Sequence, residues 1–148
     1  MKIDPVQFIL EEKKSFNKNF YFITGNEITL MDKIKDCLVK HYCDLGSYKS
    51  EKINGINAIK NEVGLFENNK VYIVQEAKKF YQNELDALSI SSDIIIFFSE
   101  NSPKNKELKS LSLKDERFVL FDCYELTKPQ KISILKKFLY NKNINIEQ

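Results

Sequence analysis

The segment from Phe20 to Met31 constrains the possible folds of this chain most strongly. Four apolar residues, Phe20 to Ile23, are followed by Thr24-Gly25-Asn26-Glu27, and apolar residues then recur at three- and four-residue steps up to Tyr42. An uninterrupted apolar run indicates a buried strand, and the longer period predicts an amphipathic helix. A strand, a tight turn and a helix in this order are typical of the first unit of a parallel α/β domain.

The turn after this strand lacks the groups that bind phosphate. A Walker A loop has four residues between its first glycine and a Gly-Lys-Ser/Thr sequence, because backbone N–H groups and an ammonium must surround the phosphates. Counting from Gly25, Leu30 takes the place of the second glycine, Met31 that of the lysine and Asp32 that of the hydroxyl residue. We therefore expect a degenerate nucleotide loop that binds no ATP, and no cofactor.

The remainder of the chain alternates apolar strands with segments of helical period. Strands that are continuous apolar runs separated by helices predict a parallel sheet covered by helices on both faces, a three-layer α/β fold. The predicted strands after the first are 71–74, 93–98 and 117–121, and 48–53 alternates weakly enough to be either an edge strand or a loop. The predicted helices are a short one that starts at Pro5 and fades over 11–18, then 26–44, 56–63, 80–88, 103–111 and 128–140.

Composition sets the size and class of the protein. A chain of 148 residues, 43% of them hydrophobic, can bury one core, so we expect one domain. A net charge of +2 and a single arginine, Arg117, argue against a dedicated nucleic-acid surface. Asp4 and Pro5 interrupt the first ten residues where a signal peptide would be apolar, and we expect a soluble, cytoplasmic protein with no membrane partner.

Cysteines and lysines yield two weaker candidate sites. Cys37 and His41 are four residues apart on the predicted helix, as in a zinc pair, but two ligands do not make a site, so no metal is predicted. The three cysteines lack a Cys-x-x-Cys spacing and should be free thiols. Interspersed acids make solvated helix faces the better interpretation of two lysine groups, at 104, 106, 109 and 114 and at 128, 131, 136 and 137.

Two short motifs of this chain occur together in one known family. The first is Phe20 to Glu27 with its long following helix, and the second is Gly64-Leu65-Phe66 leading through a polar turn into the strand at 71–74. With these motifs the chain resembles the N-terminal domain of the delta subunit of the bacterial DNA polymerase III clamp loader. The resemblance covers most of residues 1–142 and leaves 143–148 as a tail, without the lid and collar domains of the family. It implies an AAA+-like P-loop NTPase fold that lacks a functional nucleotide site.

The resemblance also implies a function in DNA replication. The chain would be a non-catalytic subunit domain that binds the sliding clamp, the beta subunit, and helps to open the ring, with other clamp-loader subunits as partners and DNA contacted only indirectly. Leu65 and Phe66 match the pair that enters the clamp pocket, and each can contribute about 1.5 to 3 kcal/mol on burial. Gly64 departs from the serine or proline of the family. Alternatively, Leu65 and Phe66 only seal the end of the sheet.

A flavodoxin-like electron carrier that binds FMN is the alternative function. Thr24-Gly25-Asn26-Glu27 is similar to the loop that wraps a flavin phosphate after the first strand of that fold. Such a loop needs several hydroxyl groups or glycines, however, and only Thr24 and Thr29 are near. The sequence therefore favours the clamp-binding interpretation over the flavin carrier.

Overall fold

The computed structural model describes residues 1–11, 18–46, 48–56, 59, 69–75 and 82–141 of the chain. Strands in this part are β1 (Lys2–Ile3), β2 (Phe20–Gly25), β3 (Lys49–Ile53), β4 (Lys70–Val74), β5 (Ile94–Phe98) and β6 (Phe118–Cys123). Helices are α1 (Pro5–Leu10), α2 (Ile28–Gly46), α3 (Gln82–Ser89), α4 (Lys106–Lys114), which follows a 3₁₀ turn at Pro103–Asn105, and α5 (Lys128–Asn141).

The described strands form one six-stranded sheet in the order β1-β6-β2-β5-β4-β3, and every neighbouring pair is parallel. This arrangement confirms the predicted α/β class with a parallel sheet. Strand β3 lies at an edge, and four of its five residues are exposed, so 48–53 is the edge strand and not the loop that was its alternative. Strand β1 was not predicted, because two residues that pair with β6 carry no readable pattern.

Helices cover both faces of the sheet, which confirms the three-layer arrangement. On one face, Tyr21 and Ile23 of β2 pack with side chains of α1 and α2 and with Ile134 of α5. On the other face, Phe20 and Phe22 pack with side chains of α3 and α4. Because the central strands are buried on both sides, they are apolar at consecutive positions instead of alternating.

The start of α1 agrees with its sequence signals, whereas the end of α2 does not. Asp4 caps α1, since its Oδ1 accepts hydrogen bonds from the N–H groups of Val6 at 2.9 Å and Gln7 at 3.3 Å, and Pro5 is the first helical residue. The helix predicted at 26–44 ends too early, because α2 continues to Gly46. A glycine commonly ends a helix, and here it is the last helical residue instead of the first turn residue.

Gly25 lies where the backbones of β2 and β6 come closest. Its φ angle is +133°, a conformation that residues with a side chain rarely adopt. A Cβ atom built on Gly25 would lie 1.9 Å from the carbonyl oxygen of Cys123, its register partner on β6. Both the backbone angle and the close approach therefore require glycine at this position.

We predict that Gly25→Ala destabilises the fold strongly. The strained backbone costs about 1 to 3 kcal/mol, and the contact with Cys123 adds to it, so the melting temperature should fall by roughly 10 °C. Thermal denaturation followed by circular dichroism measures this change. Gly55→Ala is the matched control, because no atom of the described residues lies within 4 Å of a Cβ there, and its unfolding free energy should change by less than about 1 kcal/mol. Equal melting temperatures for the two variants would contradict the assigned role of Gly25.

Candidate functional site

The neighbouring strands β2 and β5 are followed by connections that run over opposite faces of the sheet. Helix α2, which follows β2, packs on one face, whereas α4, which follows β5, packs on the other. In open parallel sheets, ligands bind outside the carboxyl ends of the strands at such a switch point. The candidate site is therefore the crevice formed by the loops that follow β2, β5 and β6.

Hydrogen bonds between backbone groups fix these loops to one another. The N–H groups of Asn26 and Glu27 both donate to the carbonyl of Cys123, at 2.9 and 3.1 Å. The N–H of Asn101, after β5, donates to the carbonyl of Gly25 at 2.7 Å. Three loops from separate parts of the chain thus meet at the ends of β2 and β6.

A buried polar pair lies directly beneath this junction. Thr24 and Asp122 are register partners on β2 and β6, and they are exposed by only 1% and 7%. The Oδ2 atom of Asp122 lies 2.7 Å from the Nζ of Lys109 on α4 and 3.9 Å from that of Lys2. The Oδ1 atom of Asp122 and the hydroxyl of Thr24 have no hydrogen-bond partner among the described residues. Since buried polar groups are normally paired, this is a local departure from a stability-optimised core.

Lys109 joins the buried pair to the protein surface. Its ammonium group donates to Asp122 and also to the hydroxyl of Tyr124, at 3.2 Å. The hydrogen bond to Asp122 is the main cause that raises the pKa of Lys109 above its ordinary value, against the opposing effect of partial burial. The ammonium therefore stays protonated, and its third N–H is left for another acceptor.

A cleft of about 350 Å³ opens beside Lys109. Its walls are preorganised, because the buried amide of Asn105 donates to the hydroxyl of Ser99, at 3.1 Å, and to the carbonyl of Glu100. Lys106 is exposed on the same wall and makes no ion pair within the described part of the chain. The lining residues are Asn101, Ser102, Pro103, Asn105, Lys106 and Lys109. This cleft offers cations, amides and a hydroxyl to a small anionic ligand.

The four residues of the predicted degenerate nucleotide loop do not surround a cavity. Leu30 and Met31 are exposed by 4% and 0% and belong to the apolar core between the sheet and α2. The side chain of Asp32 is half exposed and pairs with Lys35 at 3.3 Å. Gly25 contacts β6, and the N–H groups that follow it are bonded to Cys123. A phosphate group would have to displace these bonds to be held here.

The three cysteines are free, which confirms the thiol prediction. Cys123 is buried, and burial together with the charges of Asp122 and Glu27 raises the pKa of its thiol to about 12. Such a thiol is a poor nucleophile at neutral pH. His41 packs against the ring of Tyr42 on α2, and among the described residues no three His, Cys, Asp or Glu side chains converge as metal ligands do.

The predicted clamp-binding residues Gly64, Leu65 and Phe66 lie outside the described residues, as does most of the helix predicted at 56–63. The structure therefore does not test the predicted site residues or the predicted partners. Within the described ranges, every helix is too short or too polar to span a bilayer.

No family model matches this chain. Among curated proteins, it is similar to the 7-carboxy-7-deazaguanine synthase of Haemophilus influenzae, with 27% identity over 120 residues. The matched segment covers 80% of this chain and 53% of that enzyme, so the chain spans about half the length of the curated relative.

This similarity contradicts the function predicted from the clamp-loader resemblance. The relative is an enzyme of another class, so the predicted replication role and the non-catalytic assignment are wrong, as is the alternative of a flavin electron carrier. The error has a physical origin. A buried strand, a glycine turn and an amphipathic helix satisfy the same backbone requirements in many parallel α/β proteins, and the motif Phe20 to Glu27 therefore indicates a local structure more than a function.

Sequence reasoning missed Asp122, the most informative residue of the site. The predicted strand ended at residue 121, although Asp122 directly follows a run of four apolar residues. A carboxylate at the carboxyl end of a central parallel strand is a recognisable signal, because such ends meet at one edge of the sheet. Lys109 carried no signal of its own among the neighbouring lysines, since only the fold brings it to Asp122.

We predict that Lys109→Met destabilises the protein by about 2 kcal/mol. The variant leaves the buried carboxylate of Asp122 without its close cation, and the loss is smaller than for a fully buried pair because the Lys109 side chain is 30% exposed. Urea denaturation measures the change. Lys106→Met, one turn earlier on α4, should change the unfolding free energy by less than about 0.5 kcal/mol. Equal effects of the two variants would refute a specific role for the Asp122 pair.

Proposed function

We propose that this chain is a domain of an enzyme and that it binds a small anionic heterocycle of the 7-carboxy-7-deazaguanine class in the cleft beside α4. The observation that carries the proposal is the position of this preorganised, cationic cleft at the switch point of a parallel sheet, next to a buried and incompletely paired carboxylate. The similarity to a synthase of that heterocycle supports the choice of ligand class.

The cleft matches the carboxylate that the ligand carries on its ring. Lys106 supplies a cation that no acid of the described part of the chain neutralises. Lys109 supplies a further N–H, since its other two donors are held by Asp122 and Tyr124. Asn101 and Ser102 offer amide and hydroxyl groups to the polar edge of a guanine-like ring.

Asp122 acts in this proposal as a positioning residue. Its oxygens are too deeply buried for direct contact with a ligand, but its bond to Lys109 fixes where the ammonium faces the cleft. A fixed donor binds an anion with less loss of side-chain entropy than a freely rotating lysine does. The buried charge therefore costs folding stability and improves the geometry of the cleft.

We also propose that the fold is an AAA+-like P-loop NTPase fold whose nucleotide site is not functional. The strand, turn and helix from Phe20 to Tyr42 lie at the switch point, where a phosphate loop would stand. The N–H groups after Gly25 are bonded to Cys123, and Leu30 and Met31 are core residues. On this proposal, ligand binding uses the neighbouring cleft in place of the loop.

The experiment is a calorimetric titration of the full chain with 7-carboxy-7-deazaguanine, compared with 7-deazaguanine, which lacks the carboxylate. We expect saturable binding of the first compound and binding weaker by about fivefold for the second, since an exposed ion pair contributes up to about 1 kcal/mol. Lys106→Gln should weaken binding of the carboxylate compound by a similar factor.

Lys104→Gln is the matched control. Lys104 is an exposed lysine two residues earlier that does not line the cleft, and its loss should leave the affinity unchanged. Absence of saturable binding would contradict the proposed ligand class. Equal weakening by the two lysine variants would show that only the overall charge attracts the ligand, which would contradict the proposed site.

A further inference from the structure

Helix α5 presents apolar side chains on two sides, and within the described part of the chain only one of these sides faces the core. On the inner side, Ile134 packs against the core, and the ammonium of Lys137 donates to the carbonyl of Leu10 at the end of α1. On the outer side, Ile132, Leu135 and Phe138 are exposed by 41%, 50% and 42%. A helix that only closed a core would be polar on its outer side.

The three exposed residues, which we call the α5 row, follow one another at three-residue steps. They therefore lie along one side of the helix over roughly 9 Å. The ring of Phe138 has the ammonium of Lys33 on α2 at 4.9 Å from its centroid, so one end of the row borders α2. Single exposed apolar residues are ordinary, whereas a contiguous row of this kind marks an interaction surface.

The charged side chains of helix α5 itself all have one sign. Helix α5 contains four lysines and no acidic residue. Lys128, Lys131 and Lys136 are exposed beside the row. The surface is thus an apolar line bordered by ammonium groups, and its complement is an apolar line bordered by carboxylates.

We propose that the α5 row binds an acidic amphipathic helix of a partner protein. Such a helix lays its apolar positions along Ile132, Leu135 and Phe138 while its glutamates or aspartates face the flanking lysines. A second copy of this chain fits poorly, because pairing two α5 helices would bring like charges together. A bilayer fits poorly as well, since the row is short and the chain's net charge is only +2.

The test is a fluorescence titration of the full chain with a synthetic helical peptide that carries leucines at three- and four-residue steps and glutamates beside them. The control peptide has lysines in place of the glutamates. We expect the acidic peptide to bind roughly tenfold or more tightly than its control and to lose affinity as salt is raised.

Two surface variants locate the binding. Leu135→Ser should weaken binding of the acidic peptide by about tenfold and leave the melting temperature nearly unchanged, because the side chain is half exposed. Ile90→Ser is the matched control, since Ile90 is exposed by 88% at the end of α3 and away from α5, and it should leave binding unchanged. A Leu135→Ser variant that binds like the parent chain would overturn the assignment of the surface.

Other outcomes would overturn the proposed partner. Equal binding of the acidic and lysine peptides would show that charge complementarity has no part in recognition. Binding to phosphatidylglycerol vesicles but not to the acidic peptide, abolished by Leu135→Ser, would identify a membrane surface instead. Dimerisation of the chain that Leu135→Ser removes, without peptide binding, would identify a second copy as the occupant.

Discussion

The close approach of β2 and β6 at Gly25 is the constraint on which the carboxyl edge of the sheet depends. The carbonyl of Cys123 accepts two backbone hydrogen bonds from the residues after Gly25, and the carbonyl of Gly25 accepts one from Asn101. These bonds join the ends of three central strands at a single point. A side chain at position 25 would separate the strands, because its Cβ would lie 1.9 Å from the Cys123 carbonyl oxygen.

The same junction explains why the turn after β2 is closed to phosphate while the cleft beside Lys109 is open to a ligand. The backbone N–H groups that a phosphate loop would use already donate to the Cys123 carbonyl. In the following helix, α2, Leu30 and Met31 face the core. On the opposite face of the sheet, the junction brings Thr24 and Asp122 side by side beneath α4. Burying the Asp122 carboxylate there costs folding free energy. Its ion pair holds Lys109 at the wall of the cleft.

The fold was largely predictable from sequence because its central strands are buried on both faces. Runs such as Phe20 to Ile23 can be interpreted without knowledge of their neighbours, and Asp4-Pro5 marks a helix start by local chemistry alone. Strand β1 could not be predicted, since its two residues are a strand only through pairing with β6. Most of the site could not be predicted for a similar reason. Lys109 and Asp122 come together only because α4 packs on the sheet, and no sequence pattern indicates this contact. The function inferred from a resemblance failed because motifs at residues 20–27 and 64–66 describe local backbone structure, and a fold of this kind serves many functions.

Hydrogen exchange of individual amides, measured by NMR, tests most directly whether the Cys123 carbonyl organises the carboxyl edge. We predict that the amides of Asn26, Glu27 and Asn101 exchange nearly as slowly as that of Phe22 in the middle of β2, because all of them are held by hydrogen bonds to the sheet. Exchange of the three loop amides at the rates of an unstructured chain, with Phe22 still protected, would contradict it.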